Sequence, residues 1–359
     1  MRAAILPAFR SPYEIRDDVH VEGPAPGYVR VRLAASGLCG SDVKLQDEGR
    51  QGARTPLLIG HEAAGTVVGL GSGVEGLAEG DHVILSRVTS CGSCEDCVSG
   101  NSHLCRALGG PGMAGKPPAR WFGDHQTLYG LALAAHAEET VVHAKAAIRI
   151  DDDVPLDVAA VIGCSVTTGV GAVFNTARVA PGSTVVVMGC GGVGLNIIQA
   201  ARIAGASEIV AVDPVASRRD DAMRFGATTA IGIEAVGGAL AEISRGRGFD
   251  YAFESIGRTD ALSATIAATR RGGMAVIVGM GGEIRVNADR LALQELKIVG
   301  SYYGSANVRV EFPRLIRLWR SGQLKLEELV TDRIGLDAIN DGYAALRAGT
   351  GIRTVVTFR

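Results

Sequence analysis

The sequence lacks an excess of charge of either sign. Its 36 lysines and arginines face 38 aspartates and glutamates, a formal net charge of −2, and no basic block interrupts the chain. That excludes the electrostatic footprint of a nucleic-acid or membrane-surface binder. No run approaches the roughly 20 apolar residues a bilayer span requires. The opening MRAAILPAFRSPYEI has no apolar core of signal-peptide length, so a cytoplasmic protein with no membrane partner is expected. Internal repeats, low-complexity runs and long linkers are also missing. What remains is a chain of 359 residues, 47% hydrophobic and 21% charged, too long for one ordinary core. A soluble globular protein of two domains follows, and its 49 glycines point to many tight connections rather than disorder.

The most informative stretch is 184–213. Thr184–Met188 is a β-branched apolar run that reads as a buried parallel strand. Gly189, Gly191 and Gly194 follow as G-x-G-x-x-G, then Ile197, Ile198, Ala201 and Ile203 at helical spacing, then a second strand ending at Asp213. Glycines alone would be a weak signal. A strand before them, a helix after them and an acidic residue 19 positions on make a dinucleotide-binding unit. Gly189 makes the tight turn, Gly191 lets the backbone approach a pyrophosphate, and Gly194 lets helix and strand pack. Unpaired N–H groups at the helix start, where Gly192 and Val193 lie, hold the anion.

Strand–helix alternation continues through 208–225, 250–254 and 274–279 to a strand at 298–303, which predicts a doubly wound parallel sheet. Residues 1–150 read differently, as short strands broken by Pro/Gly turns, with 106–130 loop-like and containing Gly109–Gly112 and Pro117-Pro118. VAAVIGCSVTTGVGAVF, beginning at Val158, reads as a helical passage between domains. The expected fold is α/β, with a nucleotide domain at 166–302 inserted into a β-rich domain at 1–165 and 303–359.

Seven cysteines without an export signal read as metal ligands or spectators rather than disulfides. Cys91, Cys94, Cys97 and Cys105 form one lobe with gaps of two, two and seven residues. Four thiolates suit a closed, structural zinc site. An iron–sulfur cluster is disfavoured because Arg106, not proline, follows the last cysteine. Cys39, His61-Glu62 and Cys164 are dispersed, and spacing alone does not connect them. Each by itself also reads as a packed cysteine or a satisfied histidine. All three sit in small, glycine-flanked stretches, SGLCGSD, GHEAAG and GCSVTTGVGA. Two cysteines and a histidine would leave one zinc position open, the catalytic arrangement.

Taken in order, C-G-S-D at 39–42, G-H-E at 60–62, the lobe at 91–105, G-C-S-V-T-T-G at 163–169, G-C-G-G-V-G at 189–194, Asp213 and G-I-R-T-V-V-T-F at 351–358 resemble the zinc-dependent alcohol dehydrogenase family of the medium-chain dehydrogenase/reductases. The resemblance covers nearly the whole chain. It implies a Rossmann doubly wound sheet inserted into a GroES-like catalytic domain, with two zinc ions per chain. Cys39, His61 and Cys164 would hold the catalytic zinc, with Glu62 an occasional fourth ligand, and Asp42 would orient His61. Ser41 would take the alcohol proton as hydride passes to the nicotinamide ring, which Thr168 and Val193 would face or back. Asp213 would bind the adenosine ribose with Arg218 beside it, and Arg353 would reach the pyrophosphate. A carboxylate at the ribose favours NAD over NADP. The resemblance further implies a small-molecule alcohol or carbonyl substrate. It also implies a homodimer through the strand near 298–303, with a tetramer the alternative.

Two positions depart from the family pattern. Lys44 stands where many members have a relay histidine, and an ordinary lysine is a poor proton acceptor at neutral pH. It is read as a solvated side chain near the cofactor phosphates. Arg87 stands where a pocket wall is commonly aromatic or apolar; facing the pocket, its guanidinium would suit an anionic substrate such as a formaldehyde–thiol adduct, and swung away to a surface carboxylate it would leave the pocket apolar. Cys190, within the glycine loop, reads as a packed small residue. His20, His82, His103, His125, His136 and His143 read as ordinary surface or satisfied histidines, and Trp121-Phe122 as loop packing.

Overall fold

The computed structural model describes residues 1–49, 52–108 and 118–358. Gly109–Gly112 and Pro117 of the expected loop lie outside the described residues. The chain divides into two compact units: 1–164 with 307–314 and 326–359, and 165–306 with 315–325. The second unit thus takes in 165–306 and 315–325, where the sequence reading puts a nucleotide domain at 166–302.

The first unit is built on a mixed seven-stranded sheet. Its strands run in the order Ala147–Arg149, His82–Leu85, Ala63–Leu70, Tyr28–Gly37, Arg353–Thr357, Val330–Ile334, with Glu139–His143 also pairing to Tyr28–Gly37. Tyr28–Gly37 alternates along most of its length, burying Val29, Val31 and Leu33 and turning Arg30 and Arg32 outward, as a half-buried strand requires. Those residues join Ala63, Val67, Val83 and Leu85 in one apolar core. The final strand, Arg353–Thr357, pairs antiparallel with Tyr28–Gly37, placing Val356 opposite Ser36. A smaller sheet (Tyr129–Gly130, Leu57–Leu58, Ala3–Leu6, Glu14–Arg16) supports a second core around Leu38, Ile59, Ile339 and Tyr343.

The loop-like reading of 106–130 is corrected by three short strands, Arg120–Phe122, Gln126–Thr127 and Tyr129–Gly130. They are two or three residues long; Arg120–Phe122 and Tyr129–Gly130 pair with the distant His20–Val21 and Leu57–Leu58, and Gln126–Thr127 pairs with Arg120–Phe122, so no local period marks them. Trp121 stacks between His20 and His125, and Phe122 is buried under Arg16, so this pair does pack.

The second unit holds a six-stranded, wholly parallel sheet in the order Thr229–Ile231, Glu208–Val212, Thr184–Met188, Phe249–Glu254, Thr269–Ile277, Lys297–Gly300. Order turns about Thr184–Met188, which therefore sits at the topological switch point where doubly wound sheets bind nucleotides. Val186, Met188, Val210, Val212 and Phe249 fill the sheet's core. The helical passage is observed as Leu156–Ala177, 22 residues long. It corrects the statement that no stretch is apolar enough to span a bilayer, since by length and composition this one is. Its most apolar window is 83% buried within the protein, which marks it as a core helix.

Candidate active site

Three segments of the first unit deliver the dispersed donors. Cys39 immediately precedes the helix Gly40–Glu48, which begins just beyond the strand Tyr28–Gly37. His61 and Glu62 connect Leu57–Leu58 to Ala63–Leu70. Cys164 lies in a π-helical turn, Ile162–Val166, of the apolar helix. Such turns shift the phase of side chains along a helix and recur at functional sites. The result is that one donor atom each from Cys39, His61 and Cys164 lies within 4.8 Å of the others. Two thiols and an imidazole in reach of one point are a zinc donor set, and a fourth direction is left for water or substrate.

The surroundings fit that use. His61 Nδ1 donates to Asp42 at 3.0 Å, so that Nε2 is the nitrogen that would meet a metal. Burial opposes charge on His61, but the carboxylate of Asp42 and the thiol of Cys39 outweigh it and push its pKa up to about 10. The hydroxyl of Ser41 lies 3.3 Å from Cys39 Sγ and 3.4 Å from His61 Nε2. Cys39 and Cys164 share a hydrogen bond that holds the Cys39 thiol well below its ordinary pKa and Cys164 well above. Glu62 is fully buried and pairs with Arg353. Burial pushes the Glu62 carboxyl up, against the arginine's charge. Arg353, expected at the cofactor pyrophosphate, thus spends its Nη2 on Glu62, and its Nε has no partner among the described residues. Arg87 is half-buried, and its positive charge acts on the Cys164 thiol. Lys44 is half-exposed and lies 3.9 Å from Glu48, one helical turn on.

The four-cysteine lobe is assembled locally. Cys91, Cys94, Cys97 and Cys105 place their sulfurs within 4.8 Å of one another. The amides of Ser93 and Cys94 donate to Cys91 Sγ, and the amide of Cys91 to Cys105 Sγ, at 3.3–3.4 Å. Those amides hold Cys91 down to about pKa 5, whereas burial pushes Cys97 up to about 12. Four thiols converging, with no fifth ligand group among the described residues, fit a closed tetrahedral metal.

In the second unit the glycine turn has the form the spacing predicts. Gly189 adopts φ +95°, and a Cβ on Gly194 would lie 1.8 Å from the Gly189 carbonyl oxygen, so neither tolerates a side chain. Gly191, by contrast, has open space where its Cβ would be, a cradle for a pyrophosphate at the start of the helix Gly192–Ile203. Asp213, buried at the end of Glu208–Val212, accepts from the amides of Cys190 and Val215 at 2.9 Å each, with Arg218 4.0 Å away. Gly169 lies against the Val193 carbonyl, which brings the Thr168 helix onto the glycine-loop helix. Cys190 is buried.

His136, Tyr343 and Ser36 were missed as neighbours of the donor set. His136 is indeed a satisfied histidine, but it is wholly buried and hydrogen-bonded to Ser36 and Tyr343. Tyr343 in turn donates to Asp42. No local pattern could have connected residues 36, 136 and 343.

A β-rich domain carrying a Cys₂His donor set and a four-cysteine lobe, with a Rossmann domain inserted, defines a zinc-type dehydrogenase. Comparison with known proteins agrees. Residues 25–152 match the alcohol dehydrogenase GroES-like domain and 192–321 the zinc-binding dehydrogenase domain. The NDMA-dependent alcohol dehydrogenase of Amycolatopsis methanolica is 36% identical over 99% of this chain and 98% of its own. An Escherichia coli S-(hydroxymethyl)glutathione dehydrogenase is 34% identical over 99% of each. The crystal structure of benzyl alcohol dehydrogenase from Acinetobacter calcoaceticus superposes with a TM-score of 0.90 at 28% identity, over 100% of this chain and 99% of that one. The chain belongs to the zinc-type alcohol dehydrogenases of the medium-chain dehydrogenase/reductase family, and is an oxidoreductase.

Proposed function

We propose that this protein oxidises a primary or secondary alcohol reversibly to an aldehyde or ketone, with NAD as hydride acceptor and two zinc ions per chain. The observation that carries this reading is the convergence of Cys39, His61 and Cys164 with Ser41 beside two of them. The first unit supplies the metal chemistry and the second the dinucleotide. When bound, zinc polarises the substrate oxygen and lowers its pKa, and NAD supplies the hydride acceptor.

The chain's own residues do the rest. Cys39, His61 and Cys164 hold the catalytic metal, and Cys91, Cys94, Cys97 and Cys105 the structural one. Asp42 keeps the proton of His61 on Nδ1. The Ser41 hydroxyl takes the alcohol proton and passes it on, from its place beside Cys39 and His61. Glu62, pinned by Arg353, waits beside the donor set as a replacement ligand. Asp213 orients the ribose hydroxyls and disfavours the 2′-phosphate of NADP. A homodimer forms through Lys297–Gly300, the edge strand of the parallel sheet.

A second reading has its own support. Arg87 is half-buried in the first unit, and a guanidinium turned toward the site would suit a carboxylate-bearing formaldehyde–thiol adduct. The E. coli relative is named for such a substrate. Turnover is tested with NAD on ethanol, benzyl and allylic alcohols, a hydroxy acid, and formaldehyde with a thiol. Because the Amycolatopsis relative is named for NDMA, each assay is repeated with NDMA present. Activity centred on apolar alcohols supports the first reading, and activity confined to the acid or the adduct the second. No turnover of any of them, with or without NDMA, overturns the substrate class.

A further inference from the structure

The carboxylate of Asp42 has two oxygens, and the contact with His61 uses only one. Oδ1 accepts from His61 Nδ1 at 3.0 Å, while Oδ2 accepts from the Tyr343 hydroxyl at 3.3 Å. That hydroxyl lies 2.7 Å from His136 Nε2, and His136 Nδ1 lies 2.9 Å from Ser36 Oγ. Ser36, Asp42, His61, His136 and Tyr343 are all buried. They come from five places in the first unit: the strand Tyr28–Gly37, the helix Gly40–Glu48, the segment between Leu57–Leu58 and Ala63–Leu70, the segment before Glu139–His143, and the helix Ile339–Ala348. Packing fixes them. Tyr13 stacks on Tyr343 with ring centroids 5.0 Å apart and meets His136 edge-on at 6.3 Å. Next to His61, a Cβ on Gly60 would come within 2.9 Å of His136 Nδ1, so the G-H-E motif is also shaped around this ring.

The direction of every bond follows from the acceptor at one end. An ionised carboxylate can only accept, so Tyr343 donates to Asp42. The tyrosine oxygen is then left to accept, and His136 Nε2 must carry the proton. Burial pushes His136 down to about pKa 4, so the ring is neutral and has only that one N–H. Its Nδ1 is therefore an acceptor, and Ser36 donates to it. The donors point one way, from Ser36 to Asp42, with no freedom to reverse while Asp42 is charged.

We propose that Tyr343, backed by His136 and Ser36, is a positioning residue that locks the Asp42 carboxylate and through it the orientation and tautomer of His61 as a metal ligand. This rests on the reading of Cys39, His61 and Cys164 as a metal site. Outer partners of metal-ligating histidines typically change metal affinity or activity by 10- to 100-fold when removed, and a group one bond further out acts toward the lower end of that range.

The test is the rate at which the zinc-loaded protein loses each metal to a chelator, with the four-cysteine metal in the same molecule as internal control. Cys39→Ser identifies the phase belonging to the dispersed site. In Tyr343→Phe that phase is expected to quicken about tenfold while the other keeps its wild-type rate, and kcat falls with KM for NAD unchanged. His136→Leu should give a smaller acceleration, and His136→Gln, which restores an N–H toward Tyr343, should reverse most of it. Should Tyr343→Phe fail to fold, the Leu/Gln pair carries the same comparison. Equal loss rates in wild type and Tyr343→Phe overturn the proposal even if Tm falls, because a purely structural tyrosine would lower Tm alone. A wild-type chain that binds only one metal overturns both this proposal and the metal-site reading beneath it.

Discussion

The two cysteine sites of the first unit solve one problem in opposite ways. The 91–105 lobe draws four thiols from 15 residues of continuous chain and steadies them with its own backbone amides. Its thiols are mostly half-exposed. The dispersed site gathers Cys39, His61 and Cys164 from across 126 residues into a nearly dry interior. There each polar group needs a partner brought from elsewhere: Asp42 for His61, Tyr343 for Asp42, Arg353 for Glu62. A local site would draw its order from its metal together with its own backbone amides. A dispersed site depends on the surrounding fold to bring its ligands together.

That contrast can be broken most directly at Cys39. Cys39→Ser should lower kcat by about a thousandfold or more, because metal Lewis acidity is worth several kcal/mol of barrier. Metal content should drop by one ion per chain with Tm little changed; a variant that keeps full turnover breaks the contrast. Next is Cys97→Ser. Here Tm should fall by about 10 °C and proteases should cut within 91–105, because structural zinc contributes folding free energy directly. The metal count and differential scanning calorimetry decide the point. Third, Glu62→Gln leaves the buried Arg353 guanidinium uncompensated and should cost about 3 kcal/mol in urea denaturation, with the lobe metal retained. Smallest is a control in the second unit. Asp250 accepts from Thr184 N and Oγ1 and from Arg270, contacts that outweigh burial and hold its carboxyl below the ordinary value. Asp250→Asn should cost about 1 kcal/mol at neutral pH and change neither metal. A depressed folded-state pKa stabilises above the unfolded value near 4, so the gap to wild type should close as pH falls below it, read from urea midpoints across pH.

How much of this was legible depended on sequence distance. Thr184–Met188 appears where its β-branched run predicts it, and Gly189, Gly191 and Gly194 take up the turn their spacing implies, because a strand, three glycines and a helix are all local statements. The strands at 120–130 were not visible, since a two-residue strand is defined by its partner rather than by its own period. The helix Leu156–Ala177 shows the same limit. Its composition permits a membrane span, and only its burial identifies it as core.

By itself the sequence determined the doubly wound sheet, the glycine turn, the four-cysteine lobe and the small-residue settings of Cys39, His61 and Cys164. Each is a constraint on neighbouring residues, which backbone sterics and side-chain period express directly. Only the tertiary structure decided that Arg353 closes on Glu62, that Lys44 turns to Glu48, and that Tyr343 and His136 stand behind Asp42. Those pairings join positions up to 301 residues apart. A buried polar atom must find a hydrogen-bond partner, but which partner it finds is set by how strands and helices pack around it, and no local pattern carries that choice.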